Sequence, residues 1–417
     1  MPMHILTLTC WKFSLKFRLF SGENLRVAAW GAVERIEIGG THISMAVNGR
    51  ELYCCEHECA DHHGALELVL ETLAHPEYGV LEGGGDITAV GHRVVHGGTR
   101  FSRSVVIDPS VRASIRALEE LAPLHNVPNN KGIDAAMELL PTVPHVAFFD
   151  TAFHQTIPEH VHLYPLPYAW FEKYGVRRYG FHGPSHYYLG RSASALLGKE
   201  PEQCNLVTVH VENGMSICAI RQGISVDTSM GFTPLEGLVM GTRSGDIDPG
   251  IPPYIMQKLN ITPQEVDAIL NLKSGSSGIV GRMLSRRRLL EAAMDGDRRC
   301  LLALELEAYR LKKYIGAYLA VAGPVDALVF SAGISDREWL PRQLALEGLE
   351  AMGVTIDLTA NRTVHAAPGL PDIAVPASRV RVFVMPTDEE LVIAEDVRGT
   401  VQGGVPVSSA AGGPVGA

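Results

Sequence analysis

Several charged and hydroxyl residues of this sequence lie next to glycines, and such segments can bind and react with a small anion. Arg93 lies in segment 91–98, after a predicted strand and near the diglycine at its end. A guanidinium fork at such a place suits a carboxylate or a phosphate, and glycines let an anion approach backbone N–H groups. A turn with a surface arginine is the alternative that the same pattern allows.

Segment 226–249 is the least regular part of the chain. It is long, rich in glycine and hydroxyl side chains, and carries Arg243 together with several carboxylates. A loop of this length inside a compact domain is usually functional. We therefore expect it to contribute to a binding site.

Asp150 and several histidines add acid and base groups. Asp150 follows a predicted buried strand, and His182 and His186 lie in the irregular segment 179–186. A single histidine is more often a structural residue than a catalyst. Arginines, a carboxylate and histidines at strand ends and in loops together indicate a site for a small anion and a transferring phosphoryl group.

Alternating and helical patterns predict the elements that must hold these residues. Each half of the chain shows a hairpin early and a strand running into a glycine-containing loop later. This order predicts two related α/β lobes with a cleft between them, lined by the carboxyl ends of strands. The predicted strands are 5–9, 14–20, 86–90, 145–149, 205–210, 216–221 and 326–330, and the predicted helices are 65–73, 110–121, 264–270 and 289–322.

Composition excludes several classes of partner. The 417 residues include 36 Lys and Arg against 46 Asp and Glu, a formal net charge of −10. Since this balance provides no basic surface, neither nucleic acid nor a membrane is a predicted partner. The apolar run 314–334 contains Pro324 and Asp326, which favours a helix end, a turn and a strand over a membrane span. Seven cysteines, an odd number, favour a reducing, cytoplasmic compartment.

Cysteines and histidines cluster in segment 54–63. Their spacing lacks the two clean ligand pairs that zinc sites usually show. We therefore expect an exposed loop here, with a zinc site as the alternative.

The segments around Arg93, Asp150, His182 and Arg243 closely resemble the acetate kinase family. The resemblance runs from about residue 5 to about residue 397, nearly the whole chain. It also includes Leu-Ala-Pro-Leu-His-Asn, Tyr-Pro-Leu-Pro-Tyr, Lys-Tyr-Gly-Val-Arg-Arg and Met-Pro-Thr-Asp-Glu-Glu-Leu, at 121–126, 164–168, 173–178 and 385–391.

The resemblance implies an α/β fold of two duplicated ribonuclease-H-like lobes with a central cleft, as in actin-like ATPases. It implies Mg²⁺-dependent or Mn²⁺-dependent, reversible transfer of a phosphoryl group from ATP to acetate or propionate, giving ADP and, from acetate, acetyl phosphate. It also implies a homodimer. The expected regions are an N-terminal lobe (1–150 with 384–402), a C-terminal lobe for nucleotide and dimerisation (151–383) and a disordered tail (403–417).

Residue roles follow from the same resemblance. Arg93 and Arg243 match arginines that hold the carboxylate and the phosphoryl group, and His182 matches a histidine that donates to that phosphoryl group. The catalytic positions implied are Arg93, Arg243, His182, Asp150 and His125. The pocket for the acceptor methyl group is implied at Val95, Leu124, Phe181 and Pro234, and the metal ligands at Thr9 and Glu389. Glu389 also fits a helix start, because Thr387 and Glu390 have capping-box spacing.

The nucleotide side departs from the family pattern. The family's N-terminal loop Asn-Ala-Gly-Ser-Ser-Ser-Leu-Lys is Thr-Cys-Trp-Lys-Phe-Ser-Leu-Lys here, at 9–16, and Glu212 replaces a glycine in the nucleotide hairpin. Glutamate adds bulk and like charge near a polyphosphate. The implied nucleotide residues are Lys16, His210, Glu212, Asn213, Gly214, Ser285, Arg287, Gly333, Ile334, Ser335, Asp336 and Arg337.

These departures leave three hypotheses. The first is a divergent acetate kinase in which Lys12, Arg286 or Arg337 supplies the charge that the usual loops have lost. The second is an enzyme with a changed phosphoryl donor, such as pyrophosphate or another nucleotide. The third is a non-catalytic relative that binds acyl phosphate or a protein partner.

Overall fold

The computed structural model describes residues 3–47, 53–331, 339–364 and 371–404. Its chain divides into two compact units, Met1–Gln155 with Asp388–Ala417, and Thr156–Thr387. The returning segment, predicted to start at Val384, joins the first unit from Asp388, because Arg381–Met385 is a strand of the second unit's sheet. The lobe boundaries given above stay a prediction. The predicted tail, 403–417, falls mostly outside the described residues.

The first unit contains an eight-stranded sheet within the described ranges, in the order β5-β4-β3-β2-β1-β6-β8-β7. Its strands are β1 His4–Trp11, β2 Ser14–Ser21, β3 Arg26–Glu34, β4 His42–Val47, β5 Tyr53–Glu56, β6 Ala89–Val94, β7 Val105–Val106 and β8 His145–Phe149. Its helices are α1 His62–Leu73, α2 Pro109–Ala117, α3 Pro123–Leu139 and, after the second unit, α14 Glu389–Val401.

The second unit contains a five-stranded sheet in its described part, in the order β11-β10-β9-β12-β13. Its strands are β9 Asn205–Val211, β10 Met215–Arg221, β11 Ile224–Thr228, β12 Ala327–Ser331 and β13 Arg381–Met385. Its helices are α4 Glu159–His162, α5 Tyr168–Tyr174, α6 Gly183–Leu196, α7 Ile251–Leu259, α8 Pro263–Leu272, α9 Gly275–Val280, α10 Arg286–Met294, α11 Arg298–Ala322, α12 Trp339–Leu346 and α13 Leu358–Thr363.

The same five-strand arrangement occurs in both units. In the first, β3, β2 and β1 are antiparallel neighbours, and β6 and β8 follow in parallel. In the second, β11, β10 and β9 are antiparallel, and β12 and β13 follow in parallel. The predicted α/β fold with two similarly built lobes is confirmed in this topology.

Close packing of helices on β1 and β6 depends on two glycines. A Cβ at Gly91 of β6 would lie 2.7 Å from a methyl group of Val397 on α14. A Cβ at Gly132 of α3 would lie 2.2 Å from the Cys10 sulfur on β1. Neither position has room for a side chain. Because both residues are glycines, α14 and α3 can pack directly on the central strands and bury them.

Two predicted elements differ from the structure. The strand predicted at 86–90 lies at Ala89–Val94, because its partners on both sides, β1 and β8, set the register. The helix predicted at 289–322 is two helices, α10 and α11. Gly296 has a φ of 97°, and Asp297 caps α11 by accepting from the backbone N–H groups of Arg299 and Cys300.

Within the described residues, every helix falls short of the length and apolar character that crossing a bilayer requires. The run around Pro324 has the predicted form. Helix α11 ends at Ala322, and β12 begins at Ala327.

Candidate active site

In the first unit, Arg93 joins the two carboxylates predicted for the site. Its Nε and Nη2 donate to Asp150 Oδ1 and Oδ2 at 2.8 and 2.9 Å, and its Nη1 donates to Glu389 Oε2 at 2.6 Å. The side chains are 10%, 2% and 13% exposed for Arg93, Asp150 and Glu389. Three of the five guanidinium N–H groups are thus used within the described residues, and two remain for a ligand.

Neighbouring elements explain how these residues meet. Arg93, near the end of β6, pairs with Phe148 of the neighbouring strand β8. Asp150 directly follows β8, and its backbone N–H donates to the Val94 carbonyl at 3.1 Å. Asp388 caps α14 by accepting from the Leu391 N–H at 3.0 Å. The cap is therefore Asp388, and Glu389 both starts the helix and reaches Arg93.

Charge in this cluster is negative. Burial acts to lower the pKa of Arg93, and the carboxylates of Asp150 and Glu389 more than offset it, so the pKa of Arg93 is raised. One cation and two carboxylates leave a net charge of −1. An anionic substrate therefore needs a further positive charge to bind beside them.

Glu389 and Thr9, the metal ligands that the resemblance implies, both carry oxygen donors. Mg²⁺ prefers hard oxygen donors and is commonly held by one or two carboxylates plus substrate phosphates and water. Glu389 provides a carboxylate, and Thr9 provides a hydroxyl on the buried strand β1. No three His, Cys, Asp or Glu side chains in the described chain form a self-sufficient metal site. Such a site is not required for a cation that also binds phosphate.

Two asparagines of α3 fix the loop after β6. The Val95 N–H donates to Asn129 Oδ1 and the His96 N–H to Asn126 Oδ1, both at 3.0 Å. Asn129 also donates to the Cys10 carbonyl at 2.9 Å. This holds Val95, which is 3% exposed and was predicted in the acceptor pocket. Sequence inspection missed both asparagines, although Asn126 directly follows His125 and Asn129 lies three residues further along.

The remaining first-unit predictions lie at the hairpin and at α3. His125 is half-buried near the start of α3, beside the exposed Leu124. Lys16 is exposed on β2, where it pairs with Thr9. Lys12 is exposed in the hairpin turn, with its Nζ 4.9 Å from the centre of the Phe13 ring.

In the second unit, Gly214 lies between His182 and Arg243. A Cβ at Gly214 would lie 3.2 Å from Arg243 Nη1, 3.3 Å from His182 Cε1 and 3.4 Å from His182 Nε2. The His182 and His210 rings are in contact, with their centroids 4.2 Å apart and their planes tilted by 33°. The structure thus brings together His182, His210, Gly214 and Arg243, four of the predicted residues.

Hydroxyl groups hold these histidines. Ser216 Oγ lies 2.9 Å from His182 Nδ1 and 2.8 Å from His186 Nε2, and His210 Nδ1 lies 2.8 Å from Ser185 Oγ. With Nδ1 engaged, His182 presents Nε2 towards Gly214. His182 has a left-handed backbone with φ 59° at the cap of α6, a conformation that is uncommon for non-glycine residues.

In the described part of the chain, the Arg243 guanidinium is paired with no carboxylate. Its Nη1 donates to the Pro234 carbonyl at 3.3 Å, and no ion pair to it occurs among the described residues. Burial lowers the pKa of Arg243. An uncompensated cation beside two imidazoles favours an anionic ligand.

The loop that carries Arg243 is held by side chains that sequence inspection missed. Arg178 Nη1 donates to the carbonyls of Thr228, Ser229 and Met230 at 3.0–3.2 Å, and Arg178 Nη2 donates to Glu236 Oε1 at 2.6 Å. The start of the loop is therefore fixed. The Arg-Arg pair at 177–178 was a visible signal.

The predicted apolar pocket residues of this unit differ in exposure. Phe181 is 1% exposed, directly before His182, and Pro234 is half-buried. The carbonyl of Pro234 accepts from Arg243, so Pro234 lies next to that side chain.

The residues predicted for nucleotide binding lie in several different parts of the second unit. Glu212 and Asn213 are exposed in the turn after β9. Ser285 caps α10, and the exposed Arg287 pairs with Glu291. Residues 333–337, with the predicted Gly333, Ile334, Ser335, Asp336 and Arg337, lie outside the described residues.

Arg286 has a buried counter-charge. Its Nη2 lies 3.0 Å from Oε2 of Glu307, whose side chain is 1% exposed, and Ser276 donates to the other oxygen of that carboxylate. Much of the Arg286 charge is therefore compensated. A small pocket next to it is lined by Asn213, Gly241, Ser276, Ser277, Arg282, Leu284, Arg286 and others.

The Cys-His segment forms no metal group in the described chain. Cys54 is exposed on β5, Cys55 is half-buried and Cys59 is buried. His62 Nε2 instead hydrogen-bonds the Trp11 carbonyl at 2.7 Å. The expected exposed loop is therefore wrong for most of the cysteines and histidines of this segment: Cys54 and Cys55 belong to strand β5, and Cys59 and His62 are buried.

Comparisons with known proteins agree with this fold. The model of the acetokinase family matches residues 4–395. An acetate kinase of Geobacter metallireducens is 54% identical over 401 residues, covering 96% of this chain and 95% of that protein. The crystal structure of Porphyromonas gingivalis acetate kinase matches with a TM-score of 0.88 at 40% identity, covering 96% and 100% of the two chains. A propionate kinase of Francisella tularensis matches with a TM-score of 0.87 at 35% identity, covering 94% and 98%.

Fold and comparisons define a phosphotransferase with a carboxyl group as acceptor, built on the actin-like ATPase fold. The chain belongs to the acetokinase family. The predicted family is thus confirmed. None of these three relatives supports a changed phosphoryl donor or a non-catalytic protein.

Proposed function

We propose that this enzyme transfers the terminal phosphoryl group of ATP reversibly to acetate, giving acetyl phosphate and ADP. The arginines carry the proposal: Arg93 keeps two N–H groups for a ligand, and Arg243 has no ion pair among the described residues. Phosphoryl transfer requires charge neutralisation and alignment more than covalent help. The acetate kinases matched above support acetate, and the propionate kinase makes propionate the second acceptor to test.

In this proposal, first-unit residues bind the acceptor side and a divalent cation, Mg²⁺ or Mn²⁺. Glu389 and Thr9 would hold the cation, which supplies positive charge to phosphate oxygens when bound. Asp150 holds the guanidinium of Arg93 at two points, so that its remaining N–H groups keep a fixed direction. Val95 provides buried apolar surface for the short acceptor chain.

Second-unit residues act on the phosphoryl group. Arg243 offsets negative charge on the transferring group. In this proposal, His182 accepts from the Ser216 hydroxyl at Nδ1 and donates from Nε2 to the phosphoryl group. The His210 ring contacts the His182 ring and is held by Ser185, which limits the motion of both rings. These donors are fixed before the substrate arrives, which is how electrostatic stabilisation lowers a barrier without reorganisation.

Hydroxylamine trapping of the acyl phosphate tests the proposal. Reactions with acetate or propionate would be run with ATP, GTP and pyrophosphate in turn, using the wild type, Arg243→Gln and the surface control Arg116→Gln. We expect ATP-dependent hydroxamate from acetate in the wild type and the control only. Trapping with pyrophosphate alone would overturn ATP as donor, and no trapping with any donor would overturn the activity.

We also propose that the enzyme is a homodimer. The family resemblance implies it, and helix α5 exposes three aromatic side chains, Tyr168, Trp170 and Tyr174, at 55%, 47% and 66%. Aromatic side chains are enriched at protein interfaces. Light scattering of the wild type should give twice the mass of one chain. The measured mass should be lower for Trp170→Asp and unchanged for Trp30→Asp on β3. A monomeric wild type would contradict the proposal.

We place the enzyme in the cytoplasm. All seven cysteines are unpaired, which supports a reducing compartment. Fractionation of the producing cells, followed by immunodetection, would test this location.

A further inference from the structure

Trp11, the last residue of β1, lies against two first-unit residues of the proposed site. The Cζ atom of Arg93 lies 5.8 Å from the centre of the indole. The His125 ring lies 6.0 Å away, edge to face, with 78° between the planes. The Trp11 carbonyl accepts from His62 Nε2 at 2.7 Å, which fixes the backbone at this point.

The indole supplies a contact that the carboxylates cannot make. Asp150 and Glu389 hold the edge of the Arg93 guanidinium through N–H groups in its plane. Its flat face can be held only by another flat or apolar surface. A cation over an aromatic face gains most when it is desolvated, and the Arg93 side chain is only 10% exposed.

This contact depends on a residue at which the sequence departs from the family pattern. The family loop quoted above has glycine where Trp11 stands, and glycine has no side chain to cover a guanidinium. Trp11 lies three residues before the start of the surviving Ser-Leu-Lys. The substitution therefore places a large aromatic group at the end of β1, where the family pattern has no side chain.

We propose that Trp11 is a positioning residue for the acceptor half of the reaction. Its indole holds the Arg93 guanidinium in the plane in which the two remaining N–H groups meet the carboxylate or phosphoryl oxygens, and it packs against the imidazole of His125. This inference rests on the proposed function, since it assigns Trp11 a role in that same reaction.

Substitutions separate this role from simple packing. Trp11→Leu keeps apolar volume and removes the aromatic face, Trp11→Phe restores a face, and Trp30→Phe changes a tryptophan that is 51% exposed on β3. We expect Trp11→Leu to lower kcat/KM for acetate by about 3- to 30-fold, with KM for ATP changed less than twofold. Trp11→Phe should recover most of the loss. Equal kcat/KM in Trp11→Leu and Trp30→Phe would overturn the proposal.

Fluorinated tryptophans provide a second test that does not depend on folding of a substituted chain. Fluorine weakens the negative face of the indole and barely alters its shape, so a packing role would not respond. We expect kcat/KM for acetate to fall stepwise with the number of fluorines in the wild type and to stay constant in Trp11→Phe. The absence of that trend in the wild type would overturn the proposal.

The two proposals can fail separately. A wild type that forms no acyl phosphate would overturn the proposed function. In that case, calorimetric binding of acetyl phosphate to the wild type and to Trp11→Leu would still decide the role of Trp11. Equal affinities would overturn it, and weaker binding by about 3- to 30-fold would support it.

Discussion

Arg93 and Asp150 form a two-point ion pair at 2.8 and 2.9 Å, in which the carboxylate is almost completely buried. Asp150 therefore depends on Arg93 for its counter-charge, while Arg93 depends on Asp150 for its direction. Arg243 differs, because no carboxylate holds it among the described residues. The contrast predicts different consequences of removing the two arginines.

Arg93→Ala should lower kcat by about 10²–10³ through lost charge stabilisation, and it should also destabilise the fold. Removing one partner of a buried pair leaves an uncompensated charge, a cost of about 3–5 kcal/mol. Steady-state kinetics and urea unfolding measure the two effects. Adding Asp150→Asn to Arg93→Ala should restore much of the stability and none of the activity. A near-normal rate in Arg93→Ala would refute its role.

Arg243→Ala should lower kcat by a similar factor of about 10²–10³ without lowering the unfolding midpoint. Burial of its guanidinium is unfavourable and is not offset by a carboxylate, so its removal relieves a cost. Thermal unfolding and kinetics measured on one preparation distinguish the effect on kcat from the effect on stability. Arg243→Ala with an unfolding midpoint as low as that of Arg93→Ala would contradict this assignment.

Gly214→Ala should reduce activity, because its Cβ would lie 3.2 Å from Arg243 Nη1 and 3.3 Å from the His182 ring. Both groups must then shift by a few tenths of an ångström, which we expect to lower kcat/KM about 10-fold or more. Gly316→Ala on α11 is the matched control, since a Cβ there meets nothing within 4 Å. Equal kinetics in the two variants would count against the arrangement around Gly214.

Glu212→Gly should tighten ATP binding. Glu212 is exposed in the turn after β9, so its charge acts through solvent and the effect should be about 2- to 5-fold at low salt. Calorimetric titration with ATP at two ionic strengths measures it, and Glu212→Gln should reproduce most of the change. Unchanged affinity in both variants would show that the glutamate is clear of the phosphates.

The buried histidines His92 and His145 should make stability depend on pH. Their rings are joined from Nε2 to Nδ1 at 3.0 Å, and burial lowers the pKa of both, that of His92 most strongly. The unfolded chain binds protons near pH 6.5 that the folded chain does not bind. Stability should therefore fall as pH drops below 6.5, by up to about 1.4 kcal/mol per pH unit for each histidine.

Urea unfolding between pH 5.5 and 7.5 measures this slope. His92→Gln should reduce the slope, whereas His63→Gln, at a partly exposed position, should leave it unchanged. A wild-type stability that does not change across this range would contradict the prediction.

Local patterns in the sequence determined much of the fold and the family. Period-two alternation predicted the hairpin at β1–β2, since alternation depends only on neighbouring residues. The hairpin at β9–β10 was predicted from two strand segments joined by a turn sequence. The break between α10 and α11 was also local, in Asp295-Gly296-Asp297, and the sequence prediction passed over it. Residue types and spacing sufficed for the family, because its motifs are contiguous.

Only the tertiary structure decided which of those residues meet. Glu389 reaches Arg93 from 296 residues away, Ser216 orients His182, and Trp11 covers the guanidinium. The position of β6 was likewise set by its neighbours β1 and β8, and a glycine and an arginine within a strand gave no local signal of that pairing. A sequence fixes side-chain chemistry and short-range periodicity, but contacts between distant segments depend on how sheets and helices pack.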